Sequence, residues 1–239
     1  MTTIAIVGAG PMLGMSLARA FGARGYSVAL IARRRESLDA MASELLAEGI
    51  DAAGFVADLR DEAQLTTALA EAKERFGGID VMEFSPLAMT FVPPSQVTPG
   101  VARDAFDFLV VGAINAVRQV LPEMRERGTG ALLFAGGRSS VLPMKLLGSL
   151  GLGAAALRHY VYSLHEELKP SGIYVGTVPI LARMDRATAD NVAELFLKMI
   201  DSRDRVEMVY GSDTAADVGR QIASITEAAA PFELPKAAA

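Results

Sequence analysis

Apolar positions in this chain alternate between short unbroken runs and helically spaced faces, starting with the run Ile4-Ala5-Ile6-Val7. A continuous apolar run of this length suits a parallel strand buried on both sides. It breaks at Gly8 and Gly10, and a helical period resumes from about Met12 to Arg24, where Gly25 stops it. Ser27 to Ala32 repeats the strand pattern, and Leu38, Met41, Leu45 and Leu46 mark one side of a helix over Glu36 to Glu48. A third strand, about Ala52 to Ala57, stops at Asp58-Leu59, after which Asp61 caps a helix reaching Phe76. Ile79 to Phe84 is the fourth strand. A long helix follows over about Val101 to Glu126, with Pro122 as a kink or a break. Strands at Ala131 to Ala135 and Ile173 to Val178 flank a helix over Gly148 to Lys169. Thr188 to Asp201 reads as a helix, Val206 to Tyr210 as a seventh strand and Asp213 to Ala228 as a last helix, before an alanine-rich tail over 229–239 that is expected to fray.

Repeated strand–helix units predict an α/β fold: a Rossmann-type, doubly wound parallel sheet of about seven strands flanked by helices, its ligand at the C-terminal strand ends. The 239 residues, with no Pro/Ser-rich linker, suit a single domain over 1–239. The absence of cysteine excludes disulfides and thiolate metal sites, and two histidines, His159 and His165, leave little for zinc. A net charge of −5 with scattered cations argues against a nucleic-acid partner. The N-terminus enters a strand directly, and Leu146 to Leu157 is too short and glycine-rich to span a bilayer. The expectation is a soluble, cytoplasmic protein with no membrane partner.

Candidate chemistry begins at the first turn. Gly8, Gly10 and Gly14 allow the backbone to reverse and come close to a ligand, while the helix from Met12 and Leu13 offers unpaired N–H groups to an anion such as a pyrophosphate. A strand–helix turn without a ligand is the alternative. At the end of the second strand, where an acidic residue would bind ribose hydroxyls, stand Arg33 and Arg34, whose charge suits a 2′-phosphate and favours NADP(H). A solvated helix start would also account for them, although cations at a helix N-terminus oppose its dipole.

With this element order, the turn Gly8 to Gly14, Asp58-Leu59, Ile79-Asp80-Val81 and Leu121-Pro122 together resemble the short-chain dehydrogenase/reductase family from Thr3 to about Val178. The resemblance implies a dinucleotide site at Gly8, Gly10, Met12, Leu13 and Gly14, with Asp58 and Leu59 at the adenine and Phe84 and Ser85 where the family has an asparagine-rich turn. It also implies a homo-oligomer, dimer or tetramer, and a small-molecule substrate. The family's chemistry usually rests on tyrosine, lysine, serine and asparagine. Here Leu150, Ala154, Gly137 and Leu109 stand at those positions, and no Tyr-x-x-x-Lys occurs. Ile180-Leu181 replaces a proline-glycine pair, and Met12 fills the middle glycine position of the turn. At about 100° per residue, Tyr160, Tyr162 and His159 point roughly 80°, 120° and 180° away from Leu150 on their helix, so none substitutes for the tyrosine.

Three side chains remain as catalytic candidates. Glu83 lies late in a strand covered on both faces, where its pKa should rise or a cation such as Arg138, Lys145 or Arg183 should meet it. It reads either as a general acid or base, or as a structural ion pair or solvent-reaching carboxylate. Ser139 and Lys145 are candidates too, against readings as a loop hydrogen-bonder and a solvated charge. The glycine-rich run Gly148 to Ala156 demands close packing, within the subunit or against a partner, and an apolar helix start suits an apolar substrate. Three functions fit: an NADP(H)-dependent oxidoreductase with a non-standard proton donor, a redox-neutral isomerase, cyclase or lyase on the same scaffold, or a non-catalytic NADP(H)-binding subunit.

Overall fold

The computed structural model describes residues 2–87 and 91–211, so the last predicted helix and the alanine-rich tail lie outside the described residues. Strands β1 (Thr3–Val7), β2 (Ser27–Ala32), β3 (Ala52–Val56), β4 (Val81–Phe84), β5 (Gly130–Gly137) and β6 (Ile173–Ile180) form one parallel sheet in the order β3-β2-β1-β4-β5-β6. The order reverses between β1 and β4, the switch point beside which ligands bind in open parallel sheets. Register aligns the strand ends there: Val7 pairs with Ile31 and Phe84, Phe84 with Phe134, and Gly137 with Ile180.

Successive strand residues point to opposite faces and so build two cores. Ile6, Leu30 and Leu133 join Phe21 and Phe196 under α1 (Leu13–Gly22), α2 (Arg35–Ala47) and α7 (Arg186–Ser202). Val7, Phe84 and Phe134 join Leu69, Val120 and Leu164 under α3 (Glu62–Phe76), α5 (Gly112–Arg127) and α6 (Gly148–Leu168). Local signals act as expected at α3, where the Asp61 carboxylate accepts the Gln64 N–H at 3.0 Å and Gly77, with φ of +80°, ends the helix.

Two expectations are corrected and one is refined. Val206 to Tyr210 is not a seventh strand. It runs beside β6 through two isolated bridges, Thr177 with Glu207 and Ile180 with Tyr210. The Thr177 N–H bonds Val206 O at 2.7 Å and the Leu181 N–H bonds Tyr210 O at 2.8 Å, but between them Pro179 has no N–H to donate and the ladder is interrupted. The long helix is continuous over Pro99–Arg127, as α4 (Pro99–Phe106) and α5 with a π-helical turn at Asp107–Val111 between them, and Pro122 stays within α5 without breaking it. By length and composition alone Pro99–Arg127 is apolar enough to cross a bilayer, contrary to the expectation, yet half of its apolar window is buried in the fold.

Packing within the chain accounts for two of the three glycines of α6, Gly148 and Gly153. A Cβ on Gly148 would lie 2.8 Å from Pro94 Cα, and one on Gly153 would lie 3.0 Å from Ala105 O of α4. No partner subunit is needed to explain these two.

Candidate active site

Gly8 leaves β1 with φ of +93°, and the Gly8 and Ala9 N–H groups both donate to Ile31 O at 2.9 Å. A Cβ on Gly8 would sit 2.6 Å from Pro86 Cα, so glycine is needed for both conformation and space. Gly14 presses α1 onto the turn, its missing Cβ 3.2 Å from Ala9 Cα, whereas nothing lies within 4 Å of the corresponding point at Gly10. Helix α1 starts at Met12 without a side-chain cap, which leaves its first N–H groups for water or a ligand.

Two cavities open along this strand-end edge, and both include Gly8 and Gly10. The smaller, about 290 Å³, brings Arg33 and Arg34 together with Leu59. Asp58 lines neither cavity, because its carboxylate turns back to accept the Arg60 N–H at 3.0 Å. Phe84 lines neither as well: it is fully buried against Phe134, their ring centroids 6.2 Å apart.

The larger cavity is about 550 Å³ and reaches from Met12, Leu13 and Gly14 past Ser85 to α6. Leu109, Gly137, Leu150 and Ala154 all line it, so the topology gathers these four positions from α4–α5, β5 and α6 around one space. Ser139 and Arg138 line it too, but Lys145 is exposed and does not. None of His159, Tyr160 and Tyr162 reaches it. Sequence reasoning missed its extension along α6. Leu157, Arg158 and Val161 continue the face that carries Leu150 and Ala154, at offsets of helical period that could have identified them. Leu150 to Arg158 spans about 12 Å at 1.5 Å per residue. At that end Arg158 donates through Nε and Nη2 to both carboxylate oxygens of Glu207, at 2.6 and 2.9 Å, and through Nη2 to the Tyr162 hydroxyl at 3.1 Å. The pair neutralises the charge and ties the bridged segment to α6.

Glu83 is wholly buried and lines neither cavity. Its register neighbours Ile6 and Leu133 place it on the α1/α7 side of the sheet. Ser85 Oγ donates to its Oε2 at 2.8 Å, and Oε1 has no hydrogen-bond partner. Among the described residues it forms no salt bridge, so of the two sequence alternatives the structure takes the shifted carboxyl and not the ion pair with Arg138, Lys145 or Arg183. Burial pushes its pKa up to about 8, against the smaller opposing effect of the Ser85 hydrogen bond. Burial thus favours the protonated, neutral form of this carboxyl.

The model of the family described as short chain dehydrogenase matches residues 2–191. The chain is 28% identical over 177 residues to sulfoacetaldehyde reductase 2 of Chromohalobacter salexigens, covering 73% of this chain and 70% of that protein. It is 26% identical over 136 residues to the peroxisomal 2,4-dienoyl-CoA reductase of Arabidopsis thaliana, a match over 57% of this chain that spans only 46% of that enzyme's length. Among solved structures, a short-chain dehydrogenase from Rhodopseudomonas palustris aligns with a TM-score of 0.80 at 24% identity, over 88% of this chain and 98% of that one. L-Sorbose reductase from Gluconobacter frateurii, solved with NADPH and L-sorbose, gives 0.80 at 18% identity, over 89% and 95%. At these identities the solved structures speak for the fold.

Proposed function

The chain belongs to the short-chain dehydrogenase family, and from that premise we propose an NADP(H)-dependent oxidoreductase of small, apolar carbonyl or alcohol substrates that works without the family's tyrosine. The observation that carries the reading is the shared glycine turn: one cavity on it ends in arginines, the other in an apolar wall along α6.

The turn fits a dinucleotide. Gly10 leaves room for close approach, α1 begins uncapped, and Met12, Leu13 and Gly14 line the cavity. Gly8 to Gly14 would hold the pyrophosphate, Arg33 and Arg34 the 2′-phosphate, and Leu59 the adenine. When bound, the cofactor supplies a hydride. The chain supplies the rest: Leu109, Leu150, Ala154 and Leu157 exclude water and favour an apolar substrate body. With leucine and alanine at the tyrosine and lysine positions, the proton at the substrate oxygen comes from another group. A homo-oligomer is part of the same reading, as in the family.

The redox-neutral alternative draws on that apolar wall, since holding one substrate conformer needs no proton donor. Calorimetric titration with NADPH and with NADH tests the proposal. NADPH is expected to bind at micromolar strength, with NADH at least about tenfold weaker through loss of the phosphate contacts. Failure of both to bind refutes the oxidoreductase reading, and turnover of a substrate without cofactor oxidation selects the redox-neutral one.

A further inference from the structure

Ser85 is held where β4 runs out into the cavity wall. Its N–H donates to Val7 O at 3.0 Å, and the next residue, Pro86, packs on Gly8. Its side chain points to the same sheet face as Glu83, two residues earlier, and the 2.8 Å hydrogen bond joins them. Ser85 lines the larger cavity and Glu83 does not, so the buried carboxyl meets the cavity through this hydroxyl. Nothing structural among the described residues repays the burial of the acid: it has no ion pair, one carboxyl oxygen is unpartnered, and its register neighbours are Ile6 and Leu133. A serine hydroxyl donates and accepts at once and turns between staggered rotamers, which is what passing a proton requires.

We propose that Ser85 and Glu83 form a proton relay in which the Ser85 hydroxyl exchanges a proton with the substrate oxygen and Glu83 is the reservoir behind it. The relay rests on the reading of the chain as a carbonyl reductase. In the reducing direction the Ser85 hydroxyl turns from Glu83 Oε2 to the substrate oxygen, with the acid proton on Oε2: the Ser85 Oγ–H bond breaks as its proton passes to the substrate oxygen, and the Oε2–H bond of Glu83 breaks as that proton passes to Ser85 Oγ. Serine ends unchanged, the substrate oxygen gains one proton and Glu83 is left as a carboxylate. Once product leaves, water in the cavity returns a proton through Ser85. An acid poised near neutral pH both gives and regains a proton there. Ser85 is the catalytic group in this arrangement and Glu83 acts through it.

Infrared spectroscopy of the full chain at pH 7 tests the relay without turnover. The band of the protonated carboxyl, identified by its loss in Glu83→Gln, is expected to take its deuterated position within seconds of transfer to D2O. Exchange should slow at least about tenfold in Ser85→Ala and recover in Ser85→Thr, which keeps the hydroxyl. A wild type without that band, or equal exchange in Ser85→Ala, overturns the relay. With NADPH and decanal as probe, wild-type kcat should fall above about pH 8, and Ser85→Ala should lower kcat by about a hundredfold or more, with activity recovered in Ser85→Thr. Undiminished kcat in Ser85→Ala also overturns the relay. Rapid exchange without decanal reduction instead counts against the reductase reading and leaves the relay supported by its own measurement.

Discussion

Glu83→Gln should change not only the stability of this protein but the way stability depends on pH. The carboxyl titrates at about 8 when folded against 4.5 as its ordinary value, and each unit of difference is worth about 1.4 kcal/mol. Between those two pH values the unfolded chain has released the proton while the folded chain still holds it. The folded state binds one more proton, so wild-type stability falls by about 1.4 kcal/mol per pH unit as pH rises. Below 4.5 both states are protonated and the penalty vanishes; above about 8 both are ionised and it is complete. From pH 5 to pH 7.5 this group alone costs the wild type about 3 kcal/mol. Glutamine keeps the shape and an acceptor for Ser85 but brings an amide N–H₂ into a pocket where Oε1 has no partner, a cost of about 1–3 kcal/mol that does not vary with pH. The variant should therefore be less stable than wild type at pH 5 and equal to it or more stable at pH 7.5. Urea denaturation followed by circular dichroism at four pH values from 5 to 8 measures the difference. A difference that stays flat with pH, or a variant that loses further ground to wild type as pH rises, would mean a carboxylate already ionised in the fold and would refute the reasoning.

Gly8→Ala forces a side chain into φ of +93° and against Pro86, so thermal melting should show a loss of about 1–3 kcal/mol or more, with weaker NADPH binding as the turn shifts. Arg33→Ala and Arg34→Ala should each weaken NADPH by about tenfold to a hundredfold, at 1.5–3 kcal/mol for a charge-assisted bond, with little effect on NADH. Calorimetry showing equal losses for both cofactors would remove the 2′-phosphate contact. Gly148→Ala should cost about 1–3 kcal/mol of unfolding free energy, measured by urea denaturation, because its Cβ meets Pro94 Cα and Val92 O at 2.8 and 2.9 Å and backbone cannot give as a side chain would.

Much of this architecture is written locally. The unbroken apolar run of β2 matches its structural bounds, because a strand covered on both faces has no polar alternation to blur its ends. Asp61 and Gly77 bracket α3 as read, since capping and left-handed termination involve only neighbouring residues. The need for glycine at position 8 was legible as a turn, but the reason it is absolute, contact with Pro86 seventy-eight residues later in the chain, was not.

The sequence by itself determined the α/β class, the strand-end location of the glycine turn, the arginines after β2 and the family, because each depends on periodicity and spacing within a few residues. The tertiary structure alone decided what depends on distant segments meeting. The gap left by Pro179 split the last pairing only because Val206 to Tyr210 came to lie on that edge of β6. The cavity along α6 exists because small and apolar residues from the π-helical turn before α5 and from β5, β6 and α6 leave space together that none of them specifies alone. Glu83 reads in sequence as a carboxyl that either shifts its pKa or meets a cation; packing without a cation raised its pKa, and the two-residue pleat of β4 made Ser85 its contact with the cavity.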